Sequence, residues 1–571
     1  MQHMTRGGKL SFMLKDLGDK YGPLVRVGPN EVLFGDPDTY RKISAVRSDF
    51  TKGPWYALAK VVPDQDSLFS MRDDDLRKEY RTKLSPGYAG RENGGFEPGV
   101  DRIVAQFVNL VETKYISTPK AFRPIEFSHK SQYFALDVVS ELSFGEALGF
   151  LANDEDLFGY VTTNDLIFPY LAVMLNVPWV GIFLQQWPLN KLLPFSSDEF
   201  GFGKLMGMAK NLADKKLAAA SDENNMVQQH LRNGVTYKEL LAEIFLELIA
   251  GSDSTATAVR MTILCLLNTP SSLNALRHEM DQGIAEGRIS SPIRDLEARQ
   301  LPYLQAVIRE GIRMYPPSTG LNYKQVAKGG TELHGQFLPE GTQMGVNIQK
   351  LMRSKDRFGC DADVFRPERW LEAAAEDEDC FRDMCGVVDL AFGHGRFQCL
   401  GKTIAAMELN KIFIETNRDH LKLLRRFDFA VVTPQEPLKL YDAAFWVTTD
   451  FWLRVERKAA TAICADGPHI RLHIPIFAPR LGGEKLDAVP QYLHFSLTKS
   501  LNIIHSTGIE FGGNPDASAA LIVSIPEGSF GYGEIIDTNM GPSWKHSAIT
   551  FLAKLPDFIM RQSDGQNDLS T

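Results

Sequence analysis

Residues 237–267, YKELLAEIFLELIAGSDSTATAVRMTILCLL, limit the fold more than any other stretch of the chain. The run has helical character and is apolar nearly all round, so its helix must be surrounded by other elements rather than laid on a surface. A mainly helical body with this segment through its middle follows. Inside the run, AGSDSTA (250–256) is out of place. Glycine weakens a helix, and an aspartate in an apolar wall carries a desolvation cost. Hydroxyls there bond back to carbonyls of the preceding turn and open a polar notch. On these residues alone, Asp253 reads equally as a satisfied aspartate at a helix–helix contact.

The flanks agree with a helical body. Residues 23–40 alternate apolar and polar around Gly-Pro punctuation and predict a short hairpin. From about 65 to 315 the pattern is mainly helical, with 295–318 a helix stopped by Pro316 and Pro317. Strand-and-turn character returns over 320–350, and a helix resumes over 401–419. The fold class is therefore mainly α with a small β region over residues 1–458. Beyond that, 459–571 reads as an α+β or β-rich extension of unknown fold, with a short helix near 545–560. There His469, Arg471 and His473 share one strand face, a polar surface before it is a metal site.

The net charge of −9 excludes a general nucleic-acid binder. Six scattered cysteines make no disulfide framework and point to a reduced, cytosol-facing compartment. No signal peptide opens the chain. Residues 166–190 carry no charge, but Pro169, Pro178 and Pro188 argue against a span. Two short helices around a turn, covering a pocket or resting on a membrane surface, fit better.

Chemistry concentrates in AFGHGRFQCLG, residues 391–401. A buried structural cysteine needs no ring of glycines; a thiolate ligand approached by a large flat cofactor does. Glycines at 393, 395 and 401 let the backbone come close and direct N–H groups at the sulfur. The helix that follows adds its positive end. In IREGIRMYPP, Glu310 and Arg313 share a helix face, and Arg369 of FRPERW offers a third charge. Alone, such a pair is an ordinary helix salt bridge.

Taken together, Phe392, Gly395, Cys399 and Gly401 in that spacing, preceded by Glu310-x-x-Arg313, by Pro-Glu-Arg369 and by Ala250-Gly251-x-Asp253, resemble the cytochrome P450 family of haem-thiolate monooxygenases, in the style of its fungal microsomal members. The resemblance runs from about residue 15 to 458. It implies the family's fold and haem b, with Cys399 the axial ligand to iron and its thiolate electron density favouring O–O cleavage. It implies that Phe392 packs against the cysteine loop and that Glu310, Arg313 and Arg369 form a structural network. Asp253 and Ser254 take the positions that relay protons to iron-bound dioxygen, with Thr255 a second candidate. Ala250 and Gly251 would face the haem. The implied reaction inserts one oxygen atom from O2 into an apolar organic substrate, a terpenoid, polyketide or alkaloid of secondary metabolism. Electrons would come from a separate NADPH-dependent reductase docked near Arg396 and Lys402. The implied location is the cytosolic face of the endoplasmic reticulum membrane. A haem-thiolate isomerase or dehydratase and a non-catalytic haem-binding protein are the alternatives; the Asp253–Ser254 pair argues against the first.

Two departures stand out. Family members carry a base two residues before the cysteine, where it meets a haem propionate; here that residue is Phe397, with Arg396 beside it. Arg77 and Arg81 match the family's propionate-binding helix, although an aromatic or histidine is usual at the first position. Lys324 stands where an arginine is common. At the ends, the chain starts just downstream of where a microsomal anchor would finish. The tail 459–571 has no family counterpart, and a fused or mispredicted reading frame is one reading of it.

Overall fold

The computed structural model describes residues 8–60, 65–90, 95–176, 201–218, 225–414, 424, 427–442, 444–457, 471–476 and 491–496. The chain divides into two compact units, 1–459 and 460–571. The first is mainly helical with small sheets. Of the second, the described residues form one antiparallel pair, Arg471–Ile476 with Gln491–Ser496. His469 and the helix expected near 545–560 lie outside the described residues.

The helices that build the site are α1 (Asp74–Ala89), α2 (Phe127–Phe144), α3 (Tyr160–Asn176), α4 (Tyr237–Asn268), α5 (Pro302–Met314), α6 (Glu368–Glu376) and α7 (Lys402–Ile412). Helix α4 is the expected central one. A capping box of Thr236 and Glu239 starts it, and most of its residues are buried, chiefly against α2. The back-bonding expected of its hydroxyls is present, with Ser252 Oγ donating to Leu248 O and Ser254 Oγ to Ala250 O, both at 2.6 Å. The helix nevertheless runs unbroken.

Three boundaries differ from expectation, each through proline or cap chemistry. The hairpin is Leu24–Arg26 and Glu31–Phe34; residues 37–44 are already helix, because Asp36 caps it by accepting from Thr39 N at 2.7 Å. The segment 295–318 splits into Asp295–Ala298 and α5. Pro302 supplies no N–H to continue a helix but suits the first turn of a new one. Helix α3 contains Pro169 rather than ending at it. The remainder of the apolar stretch, 177–190, lies outside the described residues; the helix expected to 419 ends at Ile412, with Phe413 as its C-cap, and 415–419 lie outside the described residues. No helix among the described residues is long and apolar enough to cross a membrane.

A five-stranded sheet orders as Leu24–Arg26, Glu31–Phe34, Gln343–Val346, Lys324–Gln325 and Thr51–Lys52. Only the pairing of Glu31–Phe34 with Gln343–Val346 is parallel. This register sets Lys52 directly opposite Lys324.

Candidate active site

The cysteine loop is a tight return. Cys399 N donates to Phe392 O at 2.7 Å. Gly393 has φ +76°, and a Cβ there would come within 2.6 Å of Phe397 O, so the glycine is required. The Cys399 thiol is accessible, yet burial still pushes its pKa up, so it lies in a recess rather than on an outer surface. The N–H groups of Gly401 and Lys402 and the charge of Arg81 act in the opposite direction. Phe392, half-buried, packs on the core beneath the loop.

Arg313 and Arg369 meet on Glu310. Oε1 accepts from Arg313 Nη2 at 2.8 Å, Arg369 Nε at 3.0 Å and Arg366 N at 2.9 Å. Oε2 accepts from Arg313 Nε at 2.9 Å and Trp370 Nε1 at 3.0 Å. Burial alone would raise the Glu310 pKa, but the two guanidiniums hold it below the ordinary carboxylate value. Spare guanidinium N–H groups bind the carbonyls of Met352, Ala362 and Val364, so the network ties α5 to α6 and to the segment between.

Phe397 finds its explanation in its neighbours. Its ring lies 4.2 Å from Lys324 Nζ, 4.6 Å from the Arg77 guanidinium and 4.9 Å from that of Arg396. Arg77 donates to Arg396 O at 2.8 Å and to Asp74; Arg396 donates to Phe50 O and leaves its buried Nε without a partner. Lys324 donates to the Tyr56 hydroxyl at 2.7 Å. Burial first, then the charges of Arg77 and Arg396, bring the Lys324 pKa down to about 7. Lys52, buried nearby and donating to Leu68 O and Phe69 O, is likewise held well below its usual value. Four basic side chains thus converge with Asp74 beside them and Asp49 acting on Arg396, while burial raises the Glu243 pKa to about 8 and leaves that carboxyl largely protonated near neutrality. Such an excess of buried positive charge suits an anionic group. The sequence reading missed Lys52, and its only signal was a lone cation in the aromatic stretch TKGPWY. Arg396, expected at the docking surface, turns inward instead, while Lys402 pairs with Asp389 at 2.9 Å.

On α4, Ala250 is exposed and Leu246 and Ser254 half-buried, one stripe at four-residue spacing on a helix otherwise mostly buried. Gly251 lies off this stripe: a Cβ there would come within 2.9 Å of Val139 Cγ2, so its role is close approach of α2. Asp253 also faces α2 and α3. It accepts from Gln132 Nε2 at 2.7 Å and Asn164 Nδ2 at 3.3 Å, and burial pushes its pKa up to about 7. Thr255 turns to α7, where its hydroxyl bonds to buried Glu408, a residue the sequence reading did not single out. Burial raises the Glu408 pKa to about 8.

An accessible thiol in a recess, amide N–H groups aimed at it, and a buried cationic wall define the class, a haem-thiolate protein. The comparisons agree. The family model "Cytochrome P450" matches residues 1–449. The chain is 35% identical to "Cytochrome P450 monooxygenase aba1" of Botryotinia fuckeliana, covering 80% of this chain and 89% of the relative. It is 37% identical to "Cytochrome P450 monooxygenase ABA1" of Pyricularia oryzae (76% and 84%) and 36% to "Cytochrome P450 monooxygenase abl1" of Leptosphaeria maculans (76% of each). The chain belongs to the cytochrome P450 family and is a P450 monooxygenase. The family's cofactor is haem, and the residues described here fit it: one thiol for iron and a cationic wall for two carboxylates.

Proposed function

We propose that the chain inserts one oxygen atom from O2 into an apolar small organic substrate of secondary metabolism, taking electrons from a separate NADPH-dependent reductase at the cytosolic face of the endoplasmic reticulum membrane. The observation that carries this reading is the Cys399 thiol, recessed, accessible and met by the N–H groups of Gly401 and Lys402. Bound haem would supply the redox and oxygen-activating chemistry. The chain's own residues supply the rest. Cys399 ligates iron through Sγ, and the two N–H groups hold charge on that sulfur. Arg77, Arg396 and Lys324 bind the propionates, with the Phe397 ring filling the place of the family's usual base. Arg81 lies nearer the thiol and acts on its charge.

Ala250 keeps the cavity wall low, and Ser254 presents its hydroxyl there. At rest the Ser254 hydroxyl donates a hydrogen bond to Ala250 O at 2.6 Å. Asp253 retains a proton near neutral pH, since desolvation outweighs its hydrogen bonds. The pair therefore offers an acid with a pKa near the working pH beside a hydroxyl that can pass the proton on. Leu166 and Tyr170, exposed on α3, extend an apolar face suited to a membrane surface.

The test is a carbon monoxide difference spectrum of the reduced, haem-loaded protein. The thiolate-type Soret band is expected in the wild type and absent in Cys399→Ala; an unchanged band in that variant overturns the ligand assignment. NADPH-dependent oxygen uptake with product formation separates oxygenation from isomerisation or dehydration, which consume neither.

A further inference from the structure

Asp253 is enclosed by two tiers of side chains that the same two helices contribute. The inner tier is Gln132 of α2 and Asn164 of α3, both buried and both donating to its carboxyl. The outer tier is His129 of α2, one turn before Gln132, and Asp165 of α3, next to Asn164. His129 Nε2 lies 3.3 Å from Asp165 Oδ2, and the two side chains are 34% and 27% exposed. The outer pair thus reaches solvent while the inner pair reaches the acid. Nothing in the structural network around Glu310 needs such a pair, and the cavity-facing stripe of α4 does not touch it.

We propose that His129 and Asp165 form the solvent end of the path that returns protons to Asp253. This rests on the reading of Asp253 as the acid of the site. A proton enters on His129, moves from Nε2 to Asp165 Oδ2, and passes to Asp253 Oδ2 when the Asn164 amide turns aside. One proton is taken from solvent for each that Asp253 gives up towards Ser254, and no electron moves. Both residues are positioning residues, since neither touches the cavity.

The surroundings favour this direction. His129 is held above its ordinary pKa, first by the hydrogen bond to Asp165 and then by Glu126 and Asp156; Glu126 Oε2 lies 3.6 Å from its Nδ1. In the turn between the strands Trp446–Thr449 and Trp452–Arg457, Asp450 acts electrostatically with His129. Around Asp253 the charged groups are Arg260 on α4, which favours its ionised form, and Asp165 on α3, which opposes it. Protons are thus gathered at the outer tier and kept at the inner one.

The experiment uses the full-length, haem-loaded protein with a P450 reductase and NADPH, without added substrate. NADPH oxidation is followed across the histidine range, about pH 5 to 8, in H2O and in D2O. In the wild type the rate is expected to fall as pH rises through the His129 pKa, because the proton it carries is lost. His129→Gln and Asp165→Asn are each expected to lower the rate about tenfold, flatten that limb and enlarge the solvent isotope effect. Asp165→Glu should restore rate and profile, which a merely structural loss would not allow. The carbon monoxide spectrum checks that each variant holds haem. If Asp253→Asn slows oxidation while both outer variants keep the wild-type profile and isotope effect, protons enter elsewhere and the proposal falls alone. If Asp253→Asn leaves the rate unchanged, the reading of Asp253 falls and the proposal with it.

Discussion

Glu310 and Asp253 are both buried carboxyls with buried arginines close by, and they end in opposite states. Two guanidiniums touch Glu310 directly, and its pKa stays below the ordinary value. Arg260 makes no contact ion pair with Asp253; Gln132 stands between them, its Oε1 accepting a hydrogen bond from Arg260 Nη1 at 3.4 Å while its Nε2 donates to Asp253. Arg260 Nη2 is spent on Trp446 O at 2.7 Å and Thr257, and its buried Nε has no hydrogen-bond partner. One neutral amide between acid and base is the difference. It leaves desolvation unopposed by a contact ion pair, and the carboxyl keeps its proton to about pH 7. Direct pairing makes a rivet, whereas spaced pairing makes a titratable group.

The largest break in this comparison is Glu310→Ala. It strands two buried guanidiniums, a loss of about 3–5 kcal/mol for a pair broken on one side. The expected outcome is a protein that fails to retain haem and melts well below the wild type. Retention of both haem and melting temperature would remove the network from its structural role.

Asp253→Asn comes next, and here the sign depends on pH. The folded pKa of Asp253 lies above its unfolded value, so its contribution is complete below about pH 4 and is lost as pH rises towards 7. The asparagine variant lacks this loss. Its stability relative to wild type is expected to rise between pH 4 and 7, by roughly 2–4 kcal/mol at about 1.4 kcal/mol per unit, and then level off. Glu310, with a lowered pKa, contributes fully above its unfolded value and stays silent over the same window. Thermal midpoints in a pH series check both. A flat difference across the series would show that Asp253 is ionised throughout.

How far each carboxyl was legible in the sequence follows the same division. The partners of Glu310 stand in fixed spacing within short motifs, so Arg313 and Arg369 were readable before any fold was known. Cys399 was readable because glycines at set positions serve the geometry of one sulfur. The partners of Asp253 are single polar residues on other helices, Gln132 and Asn164, and a lone amide in an apolar helix has no periodic signature. Phe397 is a similar case. Its meaning lies in Lys324 and Arg77, which meet its ring from distant parts of the chain. Arg396 was placed at the surface because a sequence gives a side chain's charge but not its direction. The split at Pro302 was legible in principle, since proline that cannot continue one helix can open the next.

The sharpest and smallest test is Gln132→Ala, which removes the spacer and leaves both charges in place. Two outcomes compete. Loss of the Nε2 donor takes away a hydrogen bond that favours the ionised acid, which alone would raise the Asp253 pKa further. Against that, the vacated space lets Arg260 extend towards Asp253, and a contact guanidinium outweighs one amide donor, as it does at Glu310. The expected net result is a fall of about one unit, or about 1.4 kcal/mol. Infrared absorption of the protonated carboxyl, assigned by its absence in Asp253→Asn, reads the titration directly. A rise instead of a fall would mean that Arg260 is fixed by Trp446 O and cannot follow, so the state of Asp253 would be set by the anchoring of its arginine rather than by the amide between them.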